Sequence, residues 1–409
     1  MCYFSKYQAH FLLPLFKTYL FCETRNKEMS ENRAYFDNNA TTPIHPDALQ
    51  VMYNVANNVH GNPSSSYAIG KDSRNVVENC RQVIAEKLHC FPSQIIFNSG
   101  ASEGNNTVLK SILENNYSSR KEIVTSPVEH SSVRETMTFL RDHHGVRWRT
   151  CDVDKYGFFT FEDVSKATTR KTGIISLIYG NNELGTLMRD DDLRKIVQMC
   201  RSNRIHLHLD LTQCVGKIPI NLTELGCDSA VISGHKFYAP KGIGALYIRD
   251  PSLSPVVPLV HGGVQEGGLR AGTENVVHVA AMATALEATL STMDKDIARM
   301  KMLRDNCYNI LKNNLGDRLR LFTHPEHNLP NTLSISIDGI DSRALLPVLD
   351  NHGYQLNVGS ACSKGKRSAT LMAIGATESQ EKGALRISLG TGNTSHEVVG
   401  LCTILLSEI

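Results

Sequence analysis

The chain has almost no charge imbalance. Its 43 Lys and Arg stand against 41 Asp and Glu, a net charge of +2 over 409 residues. That removes the general electrostatic case for nucleic acid or a membrane surface as partner. Paired cysteines are missing as well. Eleven cysteines are scattered without a CxxC or a regular spacing. This argues against a disulfide framework or a metal site, and for reduced thiols in a reducing, cytoplasmic setting. Internal repeats, low-complexity tracts and long linkers are also missing. The apolar pieces Phe11–Phe16 and Tyr19–Phe21 are too short, and too broken by Pro14 and Lys17, to span a bilayer. Residues 1–33 read as an extension outside the globular pattern, either disordered or organelle-targeting.

What remains is ordinary globular material, 41% hydrophobic and 21% charged. Its length exceeds a single core, so a large domain over 34–290 and a smaller one over 291–409 are expected. Apolar, β-branched runs alternate with helical patterns. The runs are Gln94–Phe97, Glu122–Thr125, Gly173–Ile178, Ile205–Leu209, Ala230–Ser233 and Ala245–Ile248. Helices are expected near 71–88, 105–114, 131–143 and 190–202. This alternation predicts an α/β fold with a mostly parallel sheet covered on both faces. A long helix near 277–314 leads into an α+β segment, with strands at Thr332–Ile337 and Leu385–Leu389.

The chemistry-bearing residues follow the strand ends, where such sheets bind ligands. Lys236, in Ser233-Gly234-His235-Lys236, sits between two apolar runs. A lysine there makes sense if its amine forms a Schiff base with pyridoxal phosphate, and Asp210 supplies the acid for the cofactor's ring nitrogen. Asn98–Asn105 follows a strand and opens a helix, a cradle for a phosphate that serves equally as a plain helix cap. His130 ends another strand and suits ring stacking and acid–base work. Gln213 is either a donor to the cofactor's phenolate oxygen or a solvent-facing helix residue. Asn181 and Asn182 either make a turn or supply an amide donor near the substrate carboxylate or the cofactor, with Asn182 the candidate for both. Arg386, inside an apolar strand, needs an anion, and a bidentate clamp on a carboxylate satisfies it. Cys362 lies on a small-residue loop near Lys364, Lys366 and Arg367, surroundings that favour a thiolate.

Together these stretches, with Tyr35–Pro43, Gly61–Ser65, Arg270–Asn275 and Gly359–Cys362, run in one order. The chain resembles the cysteine desulfurases, NifS-like members of the class V aminotransferase family, over about residues 34–408. The resemblance implies the pyridoxal phosphate (PLP) fold type I, with a mostly parallel seven-stranded sheet and a smaller α+β C-terminal domain whose loop carries the catalytic cysteine. It implies L-cysteine as substrate, a homodimer and a sulfur acceptor protein. Lys236 would hold the cofactor and act as base, Asp210 would meet the ring nitrogen, and His130 would stack on the ring. Gln213 would reach the phenolate oxygen. Ala101, Ser102, Ser233 and His235 would hold the phosphate, with Thr273 reaching a neighbouring subunit's phosphate. Asn182 and Arg386 would hold the substrate carboxylate. Cys362 would take the sulfur as a persulfide and release alanine, supplying sulfur for iron–sulfur clusters or thio-cofactor and tRNA synthesis.

The sequence departs from that pattern in places. The segment after Cys362 is short and lacks the usual Leu-Glu-Pro run. Val264 stands where a third glycine is usual. The chain ends at Ile409, short of the tail that helps many relatives dock an iron–sulfur scaffold. Tyr67 is similar to selenocysteine lyases, which makes that activity the first alternative. An aminotransferase and a catalytically silent PLP-fold subunit are the others.

Overall fold

The computed structural model describes residues 33–114, 120–358 and 367–409. Cys362 and the extension over residues 1–32 lie outside the described residues. The described chain opens on a two-residue strand, β1 (Ala34–Tyr35), and helices α1 (Pro46–Asn58) and α2 (Ala68–Lys87). The strands of a seven-stranded sheet follow: β2 (Ile95–Asn98), β3 (Glu122–Thr125), β4 (Arg147–Thr150), β5 (Thr172–Ile178), β6 (His206–Asp210), β7 (Ser229–Ser233) and β8 (Gly244–Ile248). Their spatial order is β2-β8-β7-β6-β5-β3-β4. The pairs from β4 through β7 are parallel, and only β8 runs against its neighbours. The crossovers include α3 (Ala101–Lys110), α4 (Ser131–His144), α5 (Phe161–Ala167), α6 (Asp190–Asn203) and the short α7 (Leu222–Leu225).

Side chains alternate across a pleated strand, so one strand feeds both faces. Ile123 and Ile174 pack with Leu109, Val133, Met137 and Leu140. Val124, Ile175, Leu207 and Leu209 go to the opposite core with Val164, Leu193 and Ile196. In β6 the same alternation leaves His206, His208 and Asp210 in one row, opposite Leu207 and Leu209.

Helix α8 (Val276–Leu315) covers 40 residues, about 60 Å at 1.5 Å per residue. Its first half buries Val279, Ala281, Met282 and Leu286 in the large core. Its second half presents Met300, Leu303, Cys307, Leu311 and Leu315, at helical spacing, to a second core. That smaller α+β body contains β9 (Leu319–Leu321), β10 (Thr332–Ile337), α9 (Ser342–Asn351), β11 (Tyr354–Gln355), α10 (Ala369–Ala373), α11 (Glu378–Lys382), β12 (Ala384–Ser388) and α12 (Ser395–Ser407). Here β1 pairs with β11, and Ala34 and Phe36 pack into the second core. The start of the described chain therefore crosses back to the small body.

Strands β3 and β10 match their predicted runs, and the others shift by a residue at one or both ends. Two differences have clear causes. Helix α3 begins at Ala101 rather than near 105, because Gly100 takes φ +143° and turns the chain into the helix there. Strand β4 lacks an apolar alternation, since it is an edge strand with mostly exposed residues.

Candidate active site

The carboxyl ends of β3, β5, β6 and β7 open on one cavity of about 620 Å³. Its lining includes Ala101, Ser102, His130, Asn182, Asp210, Gln213, Ser233, His235, Lys236 and Arg386. A larger hollow of about 1010 Å³ lies elsewhere, around Lys87, Tyr179 and Arg201, and holds none of these residues.

The base of the cavity is set by α3. The N-terminal amides of a helix lack intrahelical partners, and here Gly100, with no side chain, precedes Ala101 and Ser102. A Cβ on Gly100 would stand 3.4 Å from the Ser233 hydroxyl, and one on Gly104 only 2.5 Å from Val231. Glycine thus lets backbone donors, Ser233 and the loop before β8 crowd one small space. His235 joins them through Nδ1, 3.1 Å from Thr41 Oγ1. Burial and the Lys236 charge push its imidazole down to about 4, so it is neutral at pH 7. Such a donor cluster suits a dianion.

Lys236 Nζ donates to the backbone oxygens of Asn39, at 2.8 Å, and Ala40, at 2.7 Å. Asp210 is buried; its Oδ1 accepts from the Thr212 amide at 2.9 Å and its Oδ2 from Asn105 Nδ2 at 3.0 Å. His130 caps α4, its Nδ1 accepting from the Ser132 amide at 3.1 Å. Burial lowers its pKa, and Asp210 opposes that shift. A neutral ring with Nδ1 engaged keeps its proton on Nε2.

Gln213 is buried in the turn after β6, not on a solvent-facing helix. Its amide is oriented: Nε2 donates to the Asn39 backbone oxygen at 2.9 Å, and Oε1 accepts from Lys217 Nζ. Lys217 is itself buried, and desolvation with the nearby Lys236 charge pushes its amine down to about 7. The sequence reading missed Lys217, Asn39 and Asn105. The available signals were a lysine four residues past Gln213 and the two adjacent asparagines, Asn38 and Asn39, within Tyr35–Pro43.

The two asparagines after β5 divide the work. Asn181 is structural: its Oδ1 accepts from the amides of Glu183 and Leu184, and its Nδ2 donates to the Val128 backbone oxygen. Asn182 lines the cavity, and its backbone oxygen accepts from Arg386 at 3.1 Å. Arg386 is 2% exposed and donates to Asp37 Oδ1 at 2.6 Å. Thr273 is exposed and is not among the residues lining this cavity. Its loop is anchored by Arg270 on Glu103 at 3.1 Å, and by Glu266 on Arg81 through two bonds of 2.7 and 2.8 Å.

Both flanks of the segment that holds Cys362 are tied to residues at or directly behind this wall. Asn357 donates to Asp37 Oδ2 at 2.9 Å, and Ser368 and Thr370 donate to Glu183 at 2.7 and 2.9 Å. The cysteines among the described residues are free; burial pushes Cys80 up to about 11 and Cys90 to about 12, and the Cys402 sulfur beside it, with burial, raises Cys307. Thiols so held are poor nucleophiles at neutral pH.

The donor set fits pyridoxal phosphate. It offers a phosphate cradle at a helix start, a lysine for an aldehyde, a buried carboxylate for a ring nitrogen and an oriented amide for a phenolate oxygen. Comparisons agree with that chemistry. The aminotransferase class-V family pattern matches residues 34–401. A cysteine desulfurase IscS of Dictyoglomus turgidum is 36% identical over 370 residues, 90% of this chain and 92% of that one. A cysteine desulfurase IscS of Methanosarcina thermophila is 34% identical, with 92% of each chain covered. Among solved structures, a NifS-like protein superimposes with a TM-score of 0.85 at 35% identity, covering 92% of this chain and all of that one. A NifS-like protein from Rickettsia africae gives 0.81 at 28%, with the same coverage.

Proposed function

The chain belongs to the class-V aminotransferase family and is a cysteine desulfurase, and on that premise we propose that Lys236 carries pyridoxal phosphate and Cys362 takes the sulfur. The observation that carries the residue assignment is the convergence of Lys236, Asp210, His130 and the amides of α3 on one cavity. When bound, the cofactor supplies an electron sink conjugated to the substrate's α carbon.

The protein's own residues do the rest. Arg386 holds the substrate carboxylate with its planar fork, oriented by Asp37 and the Asn182 backbone oxygen. Lys236 Nζ takes the α proton. His130, with its proton on Nε2, acts as donor at the cavity face. The Cys362 sulfur bonds to the substrate sulfur as the carbon–sulfur bond breaks. A persulfide is left on Cys362, and protonation of the carbon completes alanine. Cys362 lies four residues from Val358 and five from Arg367, so each tether is under about 20 Å at full extension. Beside the tethers, Asn357 bonds Asp37, which holds the lining residue Arg386, and Ser368 and Thr370 bond the lining residue Glu183, an anchoring that supports the reach of Cys362 to the substrate. Thr273 would serve the phosphate of a second copy in a homodimer, a reading that its exposure on an anchored loop supports.

The test is turnover. Purified protein given L-cysteine with an excess of a dithiol reductant should form alanine and sulfide in equal amounts, the dithiol reducing the Cys362 persulfide, and Cys362→Ala should stop sulfur release. Turnover of L-selenocysteine with no persulfide formed from L-cysteine would instead favour a lyase.

A further inference from the structure

Hydrogen bonds connect β6, β7, α3 and α4 into one chain, and its direction is forced. Asn105 Nδ2 lies 3.0 Å from Asp210 Oδ2 and 2.9 Å from Ser132 Oγ, while Asn105 Oδ1 lies 2.9 Å from His208 Nε2. Flipping that amide would set two acceptor oxygens against each other at Asp210, so the N–H side faces the carboxylate. His208 Nε2 must then carry a hydrogen, because it meets an oxygen that can only accept. A neutral imidazole has one N–H, so His208 Nδ1 is an acceptor. It takes the hydroxyl hydrogen of Ser229, 2.8 Å away. The Ser229 oxygen, having spent its hydrogen, accepts from His206 Nε2 at 2.8 Å. On the other branch, Ser132 Oγ accepts from Asn105 and donates to His130 Nδ1 at 2.9 Å. Asn105 and His208 are fully buried and His206 nearly so. Burial pushes both imidazoles below their usual range, in keeping with neutral rings.

The cause lies in strand geometry. His206, His208 and Asp210 share one face of β6 at positions i, i+2 and i+4. Ser229 sits opposite His208 in the β6–β7 register. Helix α3 covers that face and supplies Asn105.

We propose that Asn105 is a positioning residue that couples the acid opposite the cofactor's ring nitrogen to the histidine over the ring. One amide hydrogen orients the Asp210 carboxylate, and the other turns the Ser132 hydroxyl onto His130 Nδ1, reinforcing the Nε2–H tautomer that the Ser132 backbone amide also requires. His208 locks the Asn105 amide, and Ser229 and His206 hold His208. This deepens the cofactor assignment above and rests on it.

The direct test is nitrogen NMR of the holoenzyme with labelled histidine, which reads tautomers in the unaltered protein. The expected result is His130, His206 and His208 all neutral with hydrogen on Nε2. Hydrogen on Nδ1 of His208 or His130 overturns the proposal, whether or not any variant folds. Variants add a second reading. Asn105→Leu should lower kcat on L-cysteine and cofactor retention by about 10- to 100-fold with little change in KM. His208→Leu should do the same, and His208→Gln, whose amide can donate to Asn105 and accept from Ser229, should recover most of the loss. Equal behaviour of His208→Leu and His208→Gln refutes the coupling. Wild-type protein that takes up no pyridoxal phosphate refutes the underlying assignment instead, and that result is visible before any variant is made.

Discussion

Arg386 and Asp37 meet at 2.6 Å although 349 positions separate them in the chain. Asp37 follows β1, which crosses to the small body, and Arg386 lies inside β12. The pair thus fixes the guanidinium at the seam between the two cores. Asp37 also holds Asn357, at one flank of the Cys362 segment. Replacing Arg386 by Lys keeps the charge and loses the fork. The KM for L-cysteine should rise by about 10- to 100-fold, worth about 1.4–2.7 kcal/mol. Asp37→Ala leaves a buried cation without its carboxylate and should cost about 3–5 kcal/mol of stability, read by denaturant unfolding. An unchanged KM in Arg386→Lys would remove Arg386 from substrate binding.

Gly100 provides a second prediction. At φ +143° an alanine is strained, by about 1–3 kcal/mol, and its methyl group would press toward Ser233. Gly100→Ala should weaken pyridoxal phosphate retention in dialysis more than it lowers the melting temperature. Retention equal to wild type would move the phosphate away from α3.

Glu129 makes a prediction about pH. Its carboxyl is buried, Oε1 accepts from Ser126 and the Ile178 amide, and burial pushes its pKa up to about 8. Between its ordinary value of 4.5 and about 8 the folded state holds a proton that the unfolded state has released. Stability therefore falls as pH rises through that window, by at most about 1.4 kcal/mol per pH unit from this group. Glu129→Gln should flatten that decline and raise the melting temperature at pH 8 relative to pH 5. The lowered histidines act in the opposite sense below pH 6.5, so the variant-minus-wild-type difference is the quantity to measure. A difference that does not change with pH would contradict the raised pKa.

Much of this was legible in the sequence, for identifiable reasons. The strands carrying Lys236, Asp210 and His130 are buried on both faces, so their apolar runs stand out and their polar ends are conspicuous. Arg386 was legible because a charge inside an apolar strand demands a partner. The partner itself was not: Asp37 comes from the other end of the chain, and no local pattern encodes that pairing. Lys217 and Asn105 were missed for a related reason. Each looks like an ordinary polar residue until the turn after β6 and the docking of α3 bury it. Helix α1 carries few buried residues, and β4 is an exposed edge. Strand β4 lacks the apolar alternation that would mark it, whereas α1 does carry a stripe at helical spacing, Ala48, Val51, Met52 and Val55, and was legible from it.

The central claim is that Lys236 holds the cofactor and Cys362 receives sulfur. Mass spectrometry of the purified protein after L-cysteine tests both at once. The account predicts, after borohydride trapping, a pyridoxal phosphate adduct on Lys236 and, in untrapped protein, one added sulfur on Cys362. An unmodified Cys362 during alanine formation, or the cofactor on another lysine, would contradict it.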